Sequence, residues 1–238
     1  MRQPISPLRQ RPPAPPPVIW AMAGVMIAFE LTFELAAAGI LPFEHLRLDV
    51  YAYLAFFDVF FDALLTGTLP ADNPWLYEYY PQGGIPWNFW LSFVTYAFLH
   101  GDVFHLIMNG VIFLGLGGML ANVLGPAKFI IFFLITAVGA AVVFALIARS
   151  GVPMVGASGV VFGIFGAFKR WEWRYIRATG TSPRRFWGTI VGLIAINILL
   201  YVAFAGGALA WEAHLGGFLA GFVAAGWLAP HLAAPSPV

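Results

Sequence analysis

Four side chains in this sequence could together catalyse a hydrolysis. Ser158 is a candidate nucleophile and His214 a candidate base, because a serine attacks only when an imidazole takes its proton. His105 and Asn109 are four residues apart, so on a helix they would share one face. Both could donate hydrogen bonds to the oxyanion that such an attack creates. The residues therefore predict hydrolysis by a serine nucleophile.

Glycines surround the candidate nucleophile in the run Gly156-Ala157-Ser158-Gly159. They permit a tight turn where a helix begins, and the free N–H groups of a first helical turn suit a developing oxyanion. Gly159 and Gly163 are one turn apart, as are Gly217 and Gly221 beyond the histidine. Small residues at this spacing let membrane helices approach closely. We therefore expect the helices that carry the serine and the histidine to be neighbours.

The composition indicates that lipid surrounds these elements. Of the 238 residues, 61% are hydrophobic and 10% are charged, whereas soluble domains have about 25% charged residues. The net charge of +1 gives no indication of nucleic-acid binding. The absence of cysteine excludes disulfides and thiolate nucleophiles. No His-Glu-x-x-His motif and no paired intramembrane Asp occur, so the sequence implies no metal, no cofactor and no aspartyl mechanism.

Six segments approach the length of about 20 mainly apolar residues that a spanning helix needs. This predicts an all-α polytopic membrane protein in which a six-helix membrane domain covers 18–230. A disordered cytoplasmic tail over 1–17 precedes it and a cytoplasmic tail over 231–238 follows. The predicted spans are 18–40, 103–124, 127–147, 156–175, 186–208 and 211–229, and a membrane-embedded first loop covers 41–102.

The distribution of Lys and Arg predicts the orientation. With six spans and a cytoplasmic N-terminus, ten of the twelve basic residues fall on the cytoplasmic side. The even-numbered spans then run inward, so His105, Ser158 and His214 all lie near outer ends at a similar depth. The loop over 151–157 would lie within the membrane zone, where irregular backbone must line water or be buried in protein. Hydrolysis requires such water.

The segment 46–66 is a competing candidate for a span. Arg47, Asp58 and Asp62 recur on one helical face, and the opposite face is apolar. A helix of this kind lies in the membrane interface rather than crossing it. We therefore predict one interfacial helix here and no seventh span.

Each candidate residue also has a structural interpretation. A serine in a glycine-rich helix usually serves packing, and an intramembrane histidine or asparagine can bond a neighbouring helix. The common depth of Ser158, His214, His105 and Asn109 favours a site. Glu30 and Glu34 are expected to face protein or water, and Asn197 has no assigned role.

Three segments together resemble the signatures of rhomboid intramembrane serine proteases. They are His100-Gly101-Asp102-Val103-Phe104-His105-Leu106-Ile107-Met108-Asn109, Gly156-Ala157-Ser158-Gly159 and Glu212-Ala213-His214-Leu215-Gly216-Gly217. Their order and spacing resemble the six-span bacterial form over about 87–229. The resemblance implies that Ser158 is the nucleophile, that His214 is the general base, and that His105, Asn109 and the Ser158 N–H bind the oxyanion. Supporting roles would belong to Gly156, Gly159, Phe162 and Gly217.

The resemblance also implies a setting. The protein would be a multi-pass protein of the bacterial inner membrane with both termini cytoplasmic, in contact with lipid and with no nucleic-acid partner. Its substrates would be single-span membrane proteins cut in or near the transmembrane segment. The alternative is a catalytically silent rhomboid-like protein that binds or escorts membrane proteins. Retention of both Ser158 and His214 favours the enzyme.

Three positions depart from the family pattern. Leu91-Ser92 stands where Trp-Arg is common, Ala121 stands where Glu is common before Gly125, and Phe162 stands where Tyr is common. These positions support the fold, so the departures concern stability and the geometry of the first loop rather than the reaction.

Overall fold

This computed structural model describes residues 13–67, 85–148, 151–203 and 209–229. The secondary structure within these ranges is helical, and no strand forms there. The all-α fold class is therefore confirmed. The helices are α1 (Pro17–Ala37), α2 (Leu46–Leu54), α3 (Asp58–Thr66), α4 (Phe89–Thr95), α5 (Val103–Leu124), α6 (Pro126–Ile147), α7 (Ser158–Thr179), α8 (Arg184–Ala203) and α9 (Trp211–Leu228).

Helices α1 and α5 to α9 lie in the segments predicted to span the membrane. By length and composition, α1, α5, α6 and α8 could each cross it. Helix α7 carries several charges in its second half and α9 is rich in glycine and alanine, so their crossing stays a prediction. Parts of the predicted segments lie outside the described residues. These parts are the tail 231–238, residues 1–12 of the predicted N-terminal tail, 204–208 of the fifth span and 68–84 of the first loop.

The end of the predicted N-terminal tail packs against α5. The Asn122 side-chain amide donates a hydrogen bond to the carbonyl oxygen of Ala14 at 3.2 Å. A Cβ on Gly118 would lie 2.9 Å from the ring of Pro15. Helix α1 then begins at Pro17, a position that suits proline because the first N–H groups of a helix have no partner within it.

Helices α7 and α9 are in backbone contact along a row of glycines. A Cβ placed on Gly217 would lie 1.9 Å from the carbonyl oxygen of Gly159, and one on Gly221 would lie 2.0 Å from that of Gly163. On another side of α9, a Cβ on Gly216 would lie 2.5 Å from a carbonyl oxygen of α6. No side chain fits at these positions, so the glycine spacing brings α7 and α9 together as the sequence predicts.

The segment 46–66 forms two helices rather than the single helix expected, and its interfacial position stays a prediction. Helices α2 and α3 have nine residues each, which is too short to span a membrane. Between them, Phe56 exchanges main-chain hydrogen bonds of 3.2 and 2.8 Å with Met154, in the loop before α7. Asp58 is fully buried and accepts a hydrogen bond from the Gly151 N–H at 3.1 Å. These contacts with the distant loop interrupt the helical pattern.

Arg47 on α2 ties the first loop to α1 and to the start of α5. Its guanidinium donates to Glu30 at 2.9 and 3.1 Å, to Glu34 at 2.9 Å and to the carbonyl oxygens of His100 and Gly101 at 2.7 and 3.0 Å. Burial alone would lower the pKa of Arg47, but the hydrogen bond to Glu30 helps to outweigh it and raise the pKa. Glu30 therefore faces protein and Glu34 is partly exposed, and both belong to an ion-pair cluster outside the candidate site.

The two glutamates should differ in their contribution to stability. The side chain of Glu30 is 3% exposed and that of Glu34 is 47% exposed. Glu30→Ala leaves a half-buried guanidinium with fewer acceptors and should cost about 1–3 kcal/mol of unfolding free energy. Glu34→Ala, the matched control, removes a solvated pair and should cost about 0–1 kcal/mol. Thermal midpoints in detergent micelles measure both losses of stability. Equal losses would show that the buried pair of Glu30 with Arg47 contributes no more than the exposed pair of Glu34.

The glycine contact between α7 and α9 predicts a strong effect of adding one methyl group. Gly221→Ala should force the two backbones apart and lower the unfolding free energy by about 3 kcal/mol or more, because backbone atoms cannot rotate away. Gly192→Ala on α8 is the matched control, since a Cβ there meets nothing within 4 Å. It should leave stability unchanged or raise it by up to about 1 kcal/mol. A Gly221→Ala protein as stable as the wild type would refute the contact.

Candidate active site

Ser158 begins helix α7 at the end of a tightly held loop. The Gly156 N–H donates to the carbonyl oxygen of Tyr96 at 3.0 Å, and Met154 pairs with Phe56. Gly156 has a φ of 117°, which an L side chain rarely adopts. Ser158 is half-buried, and within the described residues its hydroxyl has no hydrogen-bond partner. The N–H groups of the first turn of α7 lie beside it.

His214 lies in the first turn of α9, buried between α7 and α8. Its ring stacks on Phe162 with centroids 4.2 Å apart and planes inclined by 4°. Phe162 is one turn beyond Ser158 on α7. The Nδ1 atom lies 2.6 Å from Oδ1 of Asn197 on α8. The Nε2 atom is therefore the ring nitrogen left for the serine, although no hydrogen bond joins the two side chains within the described part of the chain.

His105 and Asn109 border the loop that leads to Ser158. The Gly101 N–H donates a long hydrogen bond of 3.4 Å to Nδ1 of His105, so Nε2 carries the ring hydrogen. A Cβ on Gly156 would lie 2.8 Å from that Nε2 and 3.8 Å from the side-chain nitrogen of Asn109. The Asn109 amide also donates to the carbonyl oxygen of His105 at 3.0 Å. Both side chains can thus present an N–H group toward the serine loop.

The start of α5 is fixed by a cap that orients His105. The Asp102 carboxylate accepts a hydrogen bond from the His105 N–H at 2.8 Å, as expected at a helix N-terminus. The His100 ring is 5.2 Å from the His105 ring, and neither of its nitrogens has a partner within the described residues. Burial, followed by the nearby His105, lowers the pKa of His100 to about 3. The first loop is held by the His100 carbonyl rather than by its ring.

Asn197 is the residue near the site to which the sequence assigns no role. It precedes His214 by 17 residues on a different helix. The signal that could have revealed it is a lone amide in the apolar helix α8, since an intramembrane polar group is expensive unless it is bonded. Asn197 and His214 line a cavity of about 510 Å³ between α8 and α9, whose other walls are largely apolar. Within the described ranges, no cluster of three metal-ligating side chains forms.

Comparisons with known proteins identify a family. A family model described as a rhomboid domain matches residues 87–231. The chain is 34% identical to "RHOMBOID-like protein 4" of Arabidopsis thaliana over 52% of the chain and 30% of that protein. It is 30% identical to "Rhomboid protease GlpG" of Yersinia pestis (strain Pestoides F) over 56% of the chain and 46% of the relative. The chain thus matches less than half the length of these curated relatives.

The contact between Gly156 and His105 predicts that the loop tolerates no side chain. Gly156→Ala places a methyl group within 2.8 Å of the imidazole at an unfavourable φ, so His105 must move. We expect the rate at which a fluorophosphonate labels Ser158 to fall by about 10²-fold or more, the usual cost of a lost oxyanion donor.

Gly39→Ala is the control for this experiment. Gly39 also has a positive φ, of 72°, but a Cβ there meets nothing within 4 Å. The control should lose about 1 kcal/mol of stability from backbone strain and keep its labelling rate. Equal labelling rates for Gly156→Ala and the wild type would show that the loop and His105 are independent.

Proposed function

The chain belongs to the rhomboid family, and from that premise we propose that this integral membrane protein is an intramembrane serine endopeptidase. The observation that carries the proposal is the stacking of His214 on Phe162, one turn beyond Ser158, where α7 and α9 meet. Through this contact the buried imidazole of His214 on α9 comes near the serine at the start of α7. Two further N–H donors, His105 and Asn109, lie on α5.

The proposed reaction begins with proton transfer from Ser158 Oγ to His214 Nε2. The oxygen attacks the carbonyl carbon of the scissile peptide bond, and the carbonyl oxygen becomes an oxyanion. When the intermediate collapses, the C–N bond breaks and the imidazolium gives its proton to the leaving amine. Water then hydrolyses the acyl-enzyme with His214 again acting as base. The missing Ser158–His214 hydrogen bond agrees with the looser geometry that such pairs have without substrate.

The proposed oxyanion donors are the Ser158 N–H, His105 Nε2 and the Asn109 amide. The assignment of the hydrogen to Nε2 of His105 supports this role, because the neutral imidazole then donates toward the loop. The positive end of the α7 dipole adds to the same stabilisation. Asp102 and Gly101 contribute indirectly, because their hydrogen bonds hold His105 in this orientation.

The proposed substrates are membrane proteins that reach the site within the bilayer, in particular single-span proteins cut in or near their transmembrane segment. We also propose a bacterial inner-membrane location with both termini in the cytoplasm. The clustering of basic residues in the second half of α7 and at the start of α8 supports this orientation. In that orientation Ser158 and His214 open toward the outer face.

The proposal predicts that Ser158 and His214 act as a unit. Ser158→Ala and His214→Ala should each lower the cleavage rate of a model single-span substrate by about three orders of magnitude or more, and the double variant should be hardly slower. Ser182→Ala and His45→Ala, at exposed positions, are matched controls that should retain full activity. Rates in detergent and in liposomes measure the effect, with thermal midpoints as a check on folding.

Two outcomes would contradict this proposal. Substantial cleavage by Ser158→Ala would exclude it as the nucleophile. A folded wild-type protein that binds single-span proteins, yet neither cleaves them nor reacts with a fluorophosphonate, would instead favour the silent rhomboid-like protein.

A further inference from the structure

We propose that Asn197 is a positioning residue of the catalytic site that holds His214 in the tautomer and orientation that a base needs. The inference rests on the proposed function and extends it from two residues to three. Asn197 touches His214 and not the serine, so it would act through the imidazole. A chain of three side chains, Asn197, His214 and Ser158, would then run from α8 through α9 to α7.

The hydrogen bonds of Asn197 determine which way its amide faces. Its Nδ2 donates to the carbonyl oxygen of Leu193 at 2.9 Å, one turn earlier on α8. A carbonyl oxygen accepts only, so the nitrogen must be on that side and Oδ1 must face His214. The contact of 2.6 Å between Oδ1 and Nδ1 then requires that Nδ1 carries the hydrogen. Nε2 is left with a lone pair, which is the state required to accept the proton of Ser158.

Two perpendicular constraints hold the ring. The stacking on Phe162 at 4.2 Å fixes the plane of the imidazole, because the two rings are nearly parallel. The hydrogen bond to Asn197 fixes the rotation of the ring within that plane. Phe162 has no hydroxyl and therefore supplies no hydrogen bond to the site. The asparagine is consequently the residue that distinguishes Nδ1 from Nε2.

A neutral partner suits a histidine that is buried in a membrane protein. His214 is 4% exposed and the cavity beside it is largely apolar. A carboxylate in this place would require a buried negative charge in the resting enzyme, which is expensive in such surroundings. An amide oxygen accepts the same hydrogen bond without that cost. The asparagine thus provides the orienting part of the role that an aspartate has in a serine–histidine–aspartate triad.

Few titratable groups face His214 from the neighbouring elements. His105 on α5 is close enough to act electrostatically on His214, and Tyr201 on α8 lines the same cavity. Glu212 precedes it by two residues on α9. A change in the pH profile that appears only when position 197 changes can therefore be attributed to that position, provided that the other three residues are kept.

The first experiment determines the tautomer of His214 in the wild-type protein. Nitrogen-15 NMR of histidine-labelled protein in micelles at neutral pH, with His214→Ala used to assign the signal, should show Nδ1 protonated and Nε2 free. An Nε2–H tautomer would overturn the proposal without any question of misfolding. Asn197→Leu, which removes the acceptor, should give a mixture of the two tautomers.

The second experiment measures substrate cleavage as a function of pH. Asn197→Leu should lower turnover by about ten- to a hundredfold with little change in KM, which is less than the 10²–10⁴-fold that a general base contributes. Asn197→Asp keeps the acceptor and adds a charge that stabilises the imidazolium, so activity should return in part and the acid limb should move to higher pH. Thr189→Val, a polar-to-apolar change elsewhere on α8 where the hydroxyl bonds its own helix, should change nothing.

The outcomes separate this inference from the function on which it rests. If the wild type is active, Ser158→Ala is inactive, and Asn197→Leu matches the wild type in turnover and pH profile, then only the role of Asn197 is wrong. If Asn197→Leu loses stability but not turnover, the residue is a bond between helices and the inference is equally overturned. If Ser158→Ala remains active, the proposed function itself fails.

Discussion

The contact between the glycines of α7 and α9 is the constraint on which the rest of the structure depends. At Gly159 and Gly217 the two backbones meet without any side chain between them. Lipid offers no hydrophobic force that would drive two apolar helices together, so the association must come from packing at this short range. Because Ser158 precedes the first of these glycines and His214 precedes the second by one turn, the packing that holds the bundle also aligns the two candidate catalytic residues.

A second constraint is that a polar group in this environment is costly unless it is bonded within the protein. The first loop meets it through Arg47, whose guanidinium bonds Glu30, Glu34 and two carbonyl oxygens next to α5. The loop before Ser158 is held by Phe56 and by the buried Asp58. The first loop therefore holds two parts of the candidate site in place, namely the start of α5 and the loop before Ser158.

Much of this arrangement could be predicted from the sequence, because its signals are local. Long apolar runs gave the helix positions, and glycine spacing gave the approach of α7 and α9. The break at 55–57 could not be predicted, since the main-chain pairing of Phe56 with Met154 joins residues almost one hundred positions apart along the chain. The partners of Glu30 and of Asn197 were missed for the same reason. A polar residue in an apolar helix reveals that it must be bonded, but not to which residue.

The proposed role of His214 as a base requires no ionised partner. In both His105 and His214 the Nδ1 atom has a hydrogen-bond partner. Nδ1 of His105 accepts a hydrogen bond from the Gly101 N–H, and Nδ1 of His214 donates one to Oδ1 of Asn197. Because Nδ1 is the acceptor in one ring and the donor in the other, Nε2 of His105 presents an N–H group and Nε2 of His214 presents a lone pair. Two neutral imidazoles thereby differ in chemistry because of backbone and amide groups alone. In the proposed reaction this difference in hydrogen-bond direction would distinguish the donor from the base without a resting charge, which is costly in a low-dielectric bundle.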